Sequence, residues 1–289
     1  MRALTMKTDW VVAHCRRTAL ALLSLLAIAP PVSAQTIAIT GGTVHTGTGE
    51  VIERGTVLMV DGLIAAVGAD VTIPEGAQRI DATGKVVTPG LFDAFTGLGV
   101  TEIGAESNTA DGSVTNDRIS AGFNVADGLN PEATALAISR VDGITRAVVA
   151  PSSFQSMFHG QGIVINLGAT TFDSMVMKTP VAQYVAMGEA GARAAGGARG
   201  AATLMLREAL DDALDYARNR EAFDGGRRRE YAMSRLDLEA LVPVVRWTVP
   251  LVVIVHRASD IRAVLRLAKD YDVDLILAGA LEGHRVADE

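Results

Sequence analysis

From residue 36 onward, short apolar runs alternate with glycine breaks. IAIT (residues 37–40) runs into Gly41-Gly42, and TVLMVDGLIAAVG (56–68) sets Asp61-Gly62 between two apolar runs. An Asp-Gly pair flanked in this way signals a tight hairpin, because a type I′ turn needs positive φ at both central residues. With Gly76 and Gly84 as further breaks, residues 36–85 are predicted to form a small antiparallel sheet. After Pro89 the rhythm lengthens. ITRAVVA (144–150), GIVINLG (162–168), PLVVIVH (250–256) and VDLILAG (273–279) read as strands, separated by stretches of helical spacing. In ASDIRAVLRLAKDY (258–271), Ile261, Val264, Leu265 and Ala268 share one face, with Ser259 or Asp260 as N-cap. In LMLREALDDALDYARN (204–219), Leu206, Leu210, Leu214 and Ala217 do the same. MGEAGARAAGGARGAA (187–202) reads as a mobile lid or a loop. Continuous apolar strands joined by helices predict an α/β fold with a parallel sheet covered by helices. The pattern leaves a βα barrel and a doubly wound fold both open.

Residues 1–34 stand apart. Arg2, Lys7, Arg16 and Arg17 precede the apolar run ALALLSLLAIA (19–29), and Val32-Ser33-Ala34 offers small residues for cleavage, the three parts of a secretory signal peptide. The apolar run is too short to span a bilayer. The expected destination is export, periplasmic or secreted. Cleavage removes Cys15, the sole cysteine, so the exported part forms no disulfide. It also removes more basic than acidic residues, leaving a chain more acidic than the −7 of the whole. That balance argues against nucleic acid or an anionic membrane as partner, and no later apolar run is long enough for stable membrane association. A hydrophobic content of 49% with only 4% aromatic residues suits an aliphatic globular core.

The segment from Gly41 to Ala94 carries Gly62, Ile64, Val67 and Gly68 in the order G-x-I-x-x-V-G. It then carries Asp81, Ala82, Gly84, Val87, Pro89, Gly90 and Asp93 in the order D-A-x-G-x-x-V-x-P-G-x-x-D. These residues resemble the amidohydrolase superfamily of metal-dependent hydrolases, in particular its secreted imidazolonepropionase-like branch. Residues 249–288 resemble the same branch. The resemblance implies a TIM-type βα barrel over residues 86–289, preceded by a small antiparallel β-sandwich piece over residues 35–85. It also implies a divalent metal, zinc or similar, at the C-terminal mouth of the barrel, acting on a small-molecule substrate. The reaction implied is hydrolysis of non-peptide C–N bonds in small, cyclic amides or amidines.

The residues expected to hold that metal are mostly replaced. The family's His-x-His pair falls on Phe95 and Gly97, neither of which coordinates through its side chain. His256 ends an apolar strand where the family has a histidine, and Gly279 stands near the position of another. Lys178 is the one lysine placed for a bridging role. A catalytic zinc takes about three protein ligands, so His256 is a metal candidate short of partners, and a histidine hydrogen-bonded within the mouth is the alternative. His159 and Gln161, in FHGQG, are candidate substrate-binding residues. His45 and His284 read as surface residues, the latter on a final helix. Asp93 is expected to bond nearby backbone. Glu102, Glu106, Asp111 and Asp117 belong to a polar loop in which an all-carboxylate cation site is the lesser reading. Arg227-Arg228-Arg229 reads as a solvated loop.

The apolar runs supply too few strands for the eight of a complete barrel, so the barrel is expected to be incomplete. Such a chain is a fragment of a longer product or closes by forming a homo-oligomer. Two functions follow: an amidohydrolase-type hydrolase with a degenerate metal site, or a catalytically inactive binding module.

Overall fold

A computed structural model describes residues 35–289 except 105, 117 and 118. The signal-peptide segment with Cys15, and Asp117, lie outside the described residues. The chain divides into two compact units, meeting in sequence at Pro89 and Gly90.

The first unit, residues 35–89, is a single mixed sheet. Strands β1 (Thr36–His45), β2 (Val51–Val60), β3 (Leu63–Gly68) and β4 (Gln78–Asp81) lie in the order β3-β2-β1-β4, with β5 (Val86–Val87) also on β1. The hairpin between β2 and β3 turns at Asp61 and Gly62, with φ of 51° and 79°. This is the positive-φ pair that the Asp-Gly signal predicts. An all-antiparallel sheet was expected, but β4 and β5 pair parallel to β1. Strand β4 runs in the same direction as β3, so residues 69–77 must carry the chain back before it pairs, which a two-residue hairpin cannot do, and β5 continues along β1 in the direction of β4. Ala38, Val44, Val57 and Leu58 are buried, whereas Leu63 and Ile64 stay exposed.

The second unit, Gly90–Glu289, is built on a curled six-stranded sheet. Its strands are β6 (Leu91–Thr96), β8 (Ile144–Val149), β10 (Phe158–Asn166), β11 (Val176–Ala186), β12 (Leu251–Val255) and β13 (Leu275–Gly279), in the order β13-β12-β11-β10-β8-β6. The short strands β7 (Ser113–Val114) and β9 (Ser152–Ser153) pair separately. Pairs β6–β8, β11–β12 and β12–β13 are parallel. Strand β10, expected to be parallel, runs antiparallel to both β8 and β11. The connection from β8 to β10 is too short for a helical crossover and returns the chain alongside itself. The result is a mixed α/β unit shaped as half a barrel.

Helices α1 (Thr134–Val141), α2 (Phe172–Met175), α3 (Gly188–Ala194), α4 (Arg199–Asp224), α5 (Arg235–Val245) and α6 (Ala258–Tyr271) complete it. The alternation of each strand decides which side chains meet them. Leu251, Val253 and Val255 of β12 pack with Leu206 and Leu210 of α4, Leu241 of α5 and Ile261 and Val264 of α6. Burying each such side chain contributes roughly 2 kcal/mol. Val149, Ile163 and Ile165 pack with Leu136 and Met175 in a second core. The intervening residues, among them Ala182, Tyr184 and Val252, face the other way.

Several local expectations are corrected. Residues 188–194 are helical rather than a lid or loop, because Gly191 lets this short helix close onto β11: a Cβ there would meet the Ala186 carbonyl oxygen at 2.5 Å. Helix α6 starts at Ala258 with Arg257 as N-cap, not Ser259 or Asp260, and the Ala258 N–H donates to the Glu282 carboxylate at 2.8 Å. His284 sits in a three-residue 3-10 turn, not a helix of full length. Among the described residues, no helix is long and apolar enough to cross a membrane.

Candidate functional site at the mouth of the half-barrel

The C-terminal ends of β6, β11, β12 and β13 converge on one opening. Phe95 arrives at the end of β6, whose backbone is held by Asp93: its carboxylate accepts the Phe95 N–H at 3.1 Å. The Phe95 ring meets the edge of Tyr184 on β11, with centroids 5.9 Å apart and planes at 65°. Phe95, Tyr184, Val148, Val252, Ile276 and His256 line a cavity of about 650 Å³. Tyr184 is 2% exposed, and burial pushes its phenol up to about 12, so it stays protonated at neutral pH.

His256 follows directly on β12 and is exposed. Gly279 pairs with the preceding Val255 across the sheet and has a φ of 80°, which favours glycine. A Cβ at Gly279 would lie 2.3 Å from His256 Cε1 and 2.6 Å from Nδ1. The imidazole of His256 therefore fills the space that a side chain at position 279 would need. A side chain at position 279 would require the His256 ring to turn away.

His159 opens β10 at the same end and is buried, 8% exposed. Desolvation lowers its pKa to about 4 against an opposing hydrogen bond to the Pro151 carbonyl, so the ring is neutral near pH 7. Its Nδ1 is sealed and has no partner. The ring borders a cavity of about 470 Å³ with Phe95, Gly97, Thr101, Ser152 and Ile254. Gln161 lines neither cavity. Its side-chain carbonyl accepts from Asn124 Nδ2 at 3.3 Å and its backbone N–H donates to Phe123, so it fastens the Phe123–Asn124 segment to β10.

A more polar cavity of about 400 Å³ shares Ile254 and His256 with the apolar one and adds Glu189, Arg193, Arg199, Arg257 and Asp260. Arg199 is held by Asp260 at 3.0 Å and Glu189 at 3.5 Å. Neither this cavity nor Tyr184 is legible in the sequence. Tyr184 comes from β11, and Glu189, Arg193 and Arg199 come from α3 and α4, around a segment whose small residues read as a loop.

The other sequence candidates lie elsewhere. Lys178 is exposed and pairs with Val164, eight residues before the end of β11, so roughly 26 Å of strand separates it from the mouth. Arg228 and Arg229 bond the carboxylates of Asp215 and Asp212. Glu102 accepts from Asn130 and Glu106 from Asn108, so these acids are engaged locally. Asp111 is placed in the same loop. His45 and His284 are exposed.

The residues at the mouth do not fit a divalent metal. Phe95, Gly97 and Gly279 supply no side-chain donor, and among the described residues no group of three or more His, Cys, Asp or Glu side chains is placed to hold an ion.

No family model matches the sequence. The dihydroorotase of Mycobacterium tuberculosis is 52% identical over 46 residues, covering 16% of this chain and 11% of that protein. The imidazolonepropionase of Geobacillus sp. is 47% identical over 53 residues, covering 16% and 12%. In structure, an amidohydrolase from Thermotoga maritima MSB8 superposes with a TM-score of 0.75 at 26% identity, over 86% of this chain and 66% of that one. The chain thus spans less than two thirds of each of these proteins. Likeness in sequence to a dihydroorotase and an imidazolonepropionase, and in structure to an amidohydrolase, supports placing this chain in the amidohydrolase superfamily.

Proposed function

We propose that this chain is an exported hydrolase of the imidazolonepropionase-like branch, cleaving non-peptide C–N bonds in small cyclic amides or amidines with a mouth that departs from the metal-binding pattern. The observation that carries this reading is the convergence of Phe95 and His256 on one opening at the C-terminal ends of the strands. The relatives named for dihydroorotate and imidazolonepropionate support the substrate class. Export rests on the pattern of residues 2–34.

In this reading the substrate ring rests in the apolar cavity and its scissile carbonyl lies by His256. The imidazole takes a proton from water as the oxygen attacks the carbonyl carbon. It then gives that proton to the ring nitrogen as the C–N bond breaks. No step runs through a metal.

The replacement of donors at Phe95, Gly97 and Gly279 favours a second reading, a non-catalytic binding module. Ring opening of a panel of five- and six-membered cyclic amides and amidines, with and without added zinc, separates the two. Turnover of at least one member without zinc is the expected result. Saturable binding with no turnover under either condition would leave the binding module.

A further inference from the structure

We infer that the Tyr184 hydroxyl is the hydrogen-bond donor that anchors and polarises the carbonyl of the ligand in the apolar cavity. The inference rests on the reading of the mouth as a ligand site. It adds the chemical class recognised there, a small, largely apolar molecule bearing a carbonyl acceptor.

Tyr184 is nearly wholly buried, yet its hydroxyl bonds no described residue. A buried phenol ordinarily finds a partner, since leaving it unsatisfied costs about 1–3 kcal/mol. The hydroxyl is also absent from the sealed, unpartnered atoms of the core, which are those of Ser113, His159 and Gln183. It therefore opens onto the cavity that the ring lines.

The ring is held in place from two sides. A Cβ at Gly162 on β10 would lie 2.6 Å from Tyr184 Cε2, so only glycine there lets the ring lie against that strand. The Phe95 ring closes on it from β6. A fixed donor in a low-dielectric wall needs no reorganisation when charge grows on a carbonyl oxygen. Burial keeps the phenol protonated, so it donates across the neutral range. The wall around it is Val148, Val181, Val252, Ile254 and Ile276, and His256 is the other polar side chain of the lining.

The test compares acetophenone with α-methylstyrene, which has nearly the same shape without the acceptor oxygen. Binding of each is measured calorimetrically to wild type and to Tyr184→Phe, a variant that keeps the buried ring. Wild type is expected to bind acetophenone about fivefold tighter, the worth of one net hydrogen bond. Tyr184→Phe is expected to bind the two equally while holding α-methylstyrene as wild type does. The infrared carbonyl stretch of bound acetophenone is expected at lower wavenumber in wild type than in the variant. Equal affinities in wild type, binding of neither probe, or discrimination and a carbonyl shift that persist in Tyr184→Phe would each overturn the inference. Because binding is read without turnover, a failure to hydrolyse cyclic amides leaves this result standing, and the reverse also holds.

Discussion

At residue scale, the mouth is shaped by which side chains are absent as much as by those present. Gly279 and His256 fit together: the positive φ favours glycine, and the ring lies where a Cβ at that position would stand. His159 is a different kind of residue, a neutral imidazole in an apolar setting. Its folded-state pKa of about 4 lies below the unfolded value of about 6.5, so between those values the unfolded chain binds more protons than the folded one. The contribution of His159 to stability is complete above pH 6.5 and is lost as pH falls toward 4, by up to roughly 3 kcal/mol. Denaturant titrations of wild type between pH 7 and pH 4.5 are expected to show that decline, and His159→Leu a shallower one. Equal slopes in the two proteins would show that another group carries the acid sensitivity.

At element scale, the close crossing of β6 and β8 depends on Gly90. A Cβ there would stand 2.2 Å from Thr145 Cγ2, and Leu91 N–H bonds the Gly143 carbonyl just beside it. Gly90→Ala is expected to cost about 1–3 kcal/mol by overpacking. Thr145→Gly in the same chain is expected to return part of it, read as a coupling in chemical denaturation. Additive effects of the two changes would mean that the strands do not meet there.

The same scale explains what the sequence discloses and what it hides. Strands β12 and β13 and helix α6 are legible because their apolar residues follow one period without interruption. The Asp61-Gly62 hairpin is legible because its turn chemistry is specific. Strand β11 is hidden because its first half carries Lys178-Thr179-Pro180, and with it goes Tyr184. The direction of β10 is hidden because GIVINLG has the same pattern whichever way it runs. Helix α3 is hidden by glycines that serve close packing rather than flexibility. Gln161 looks like a site residue from its neighbours in sequence, yet a bond to Asn124, far away along the chain, takes its side chain elsewhere.

For the molecule as a whole, the frame and its chemistry point in different directions. The half-barrel superposes on the Thermotoga amidohydrolase and has an opening lined from the ends of its strands. The side chains around it form an aromatic wall, a solitary exposed imidazole and a polar cavity held by arginines and acids. If that opening works as proposed, its reactivity depends on the imidazole of His256. The most direct measurement is therefore the ring-opening rate of the best cyclic amide substrate by wild type and by His256→Ala, at matched thermal stability. A loss of about 100-fold or more in kcat/KM is predicted. An unchanged rate would contradict the account.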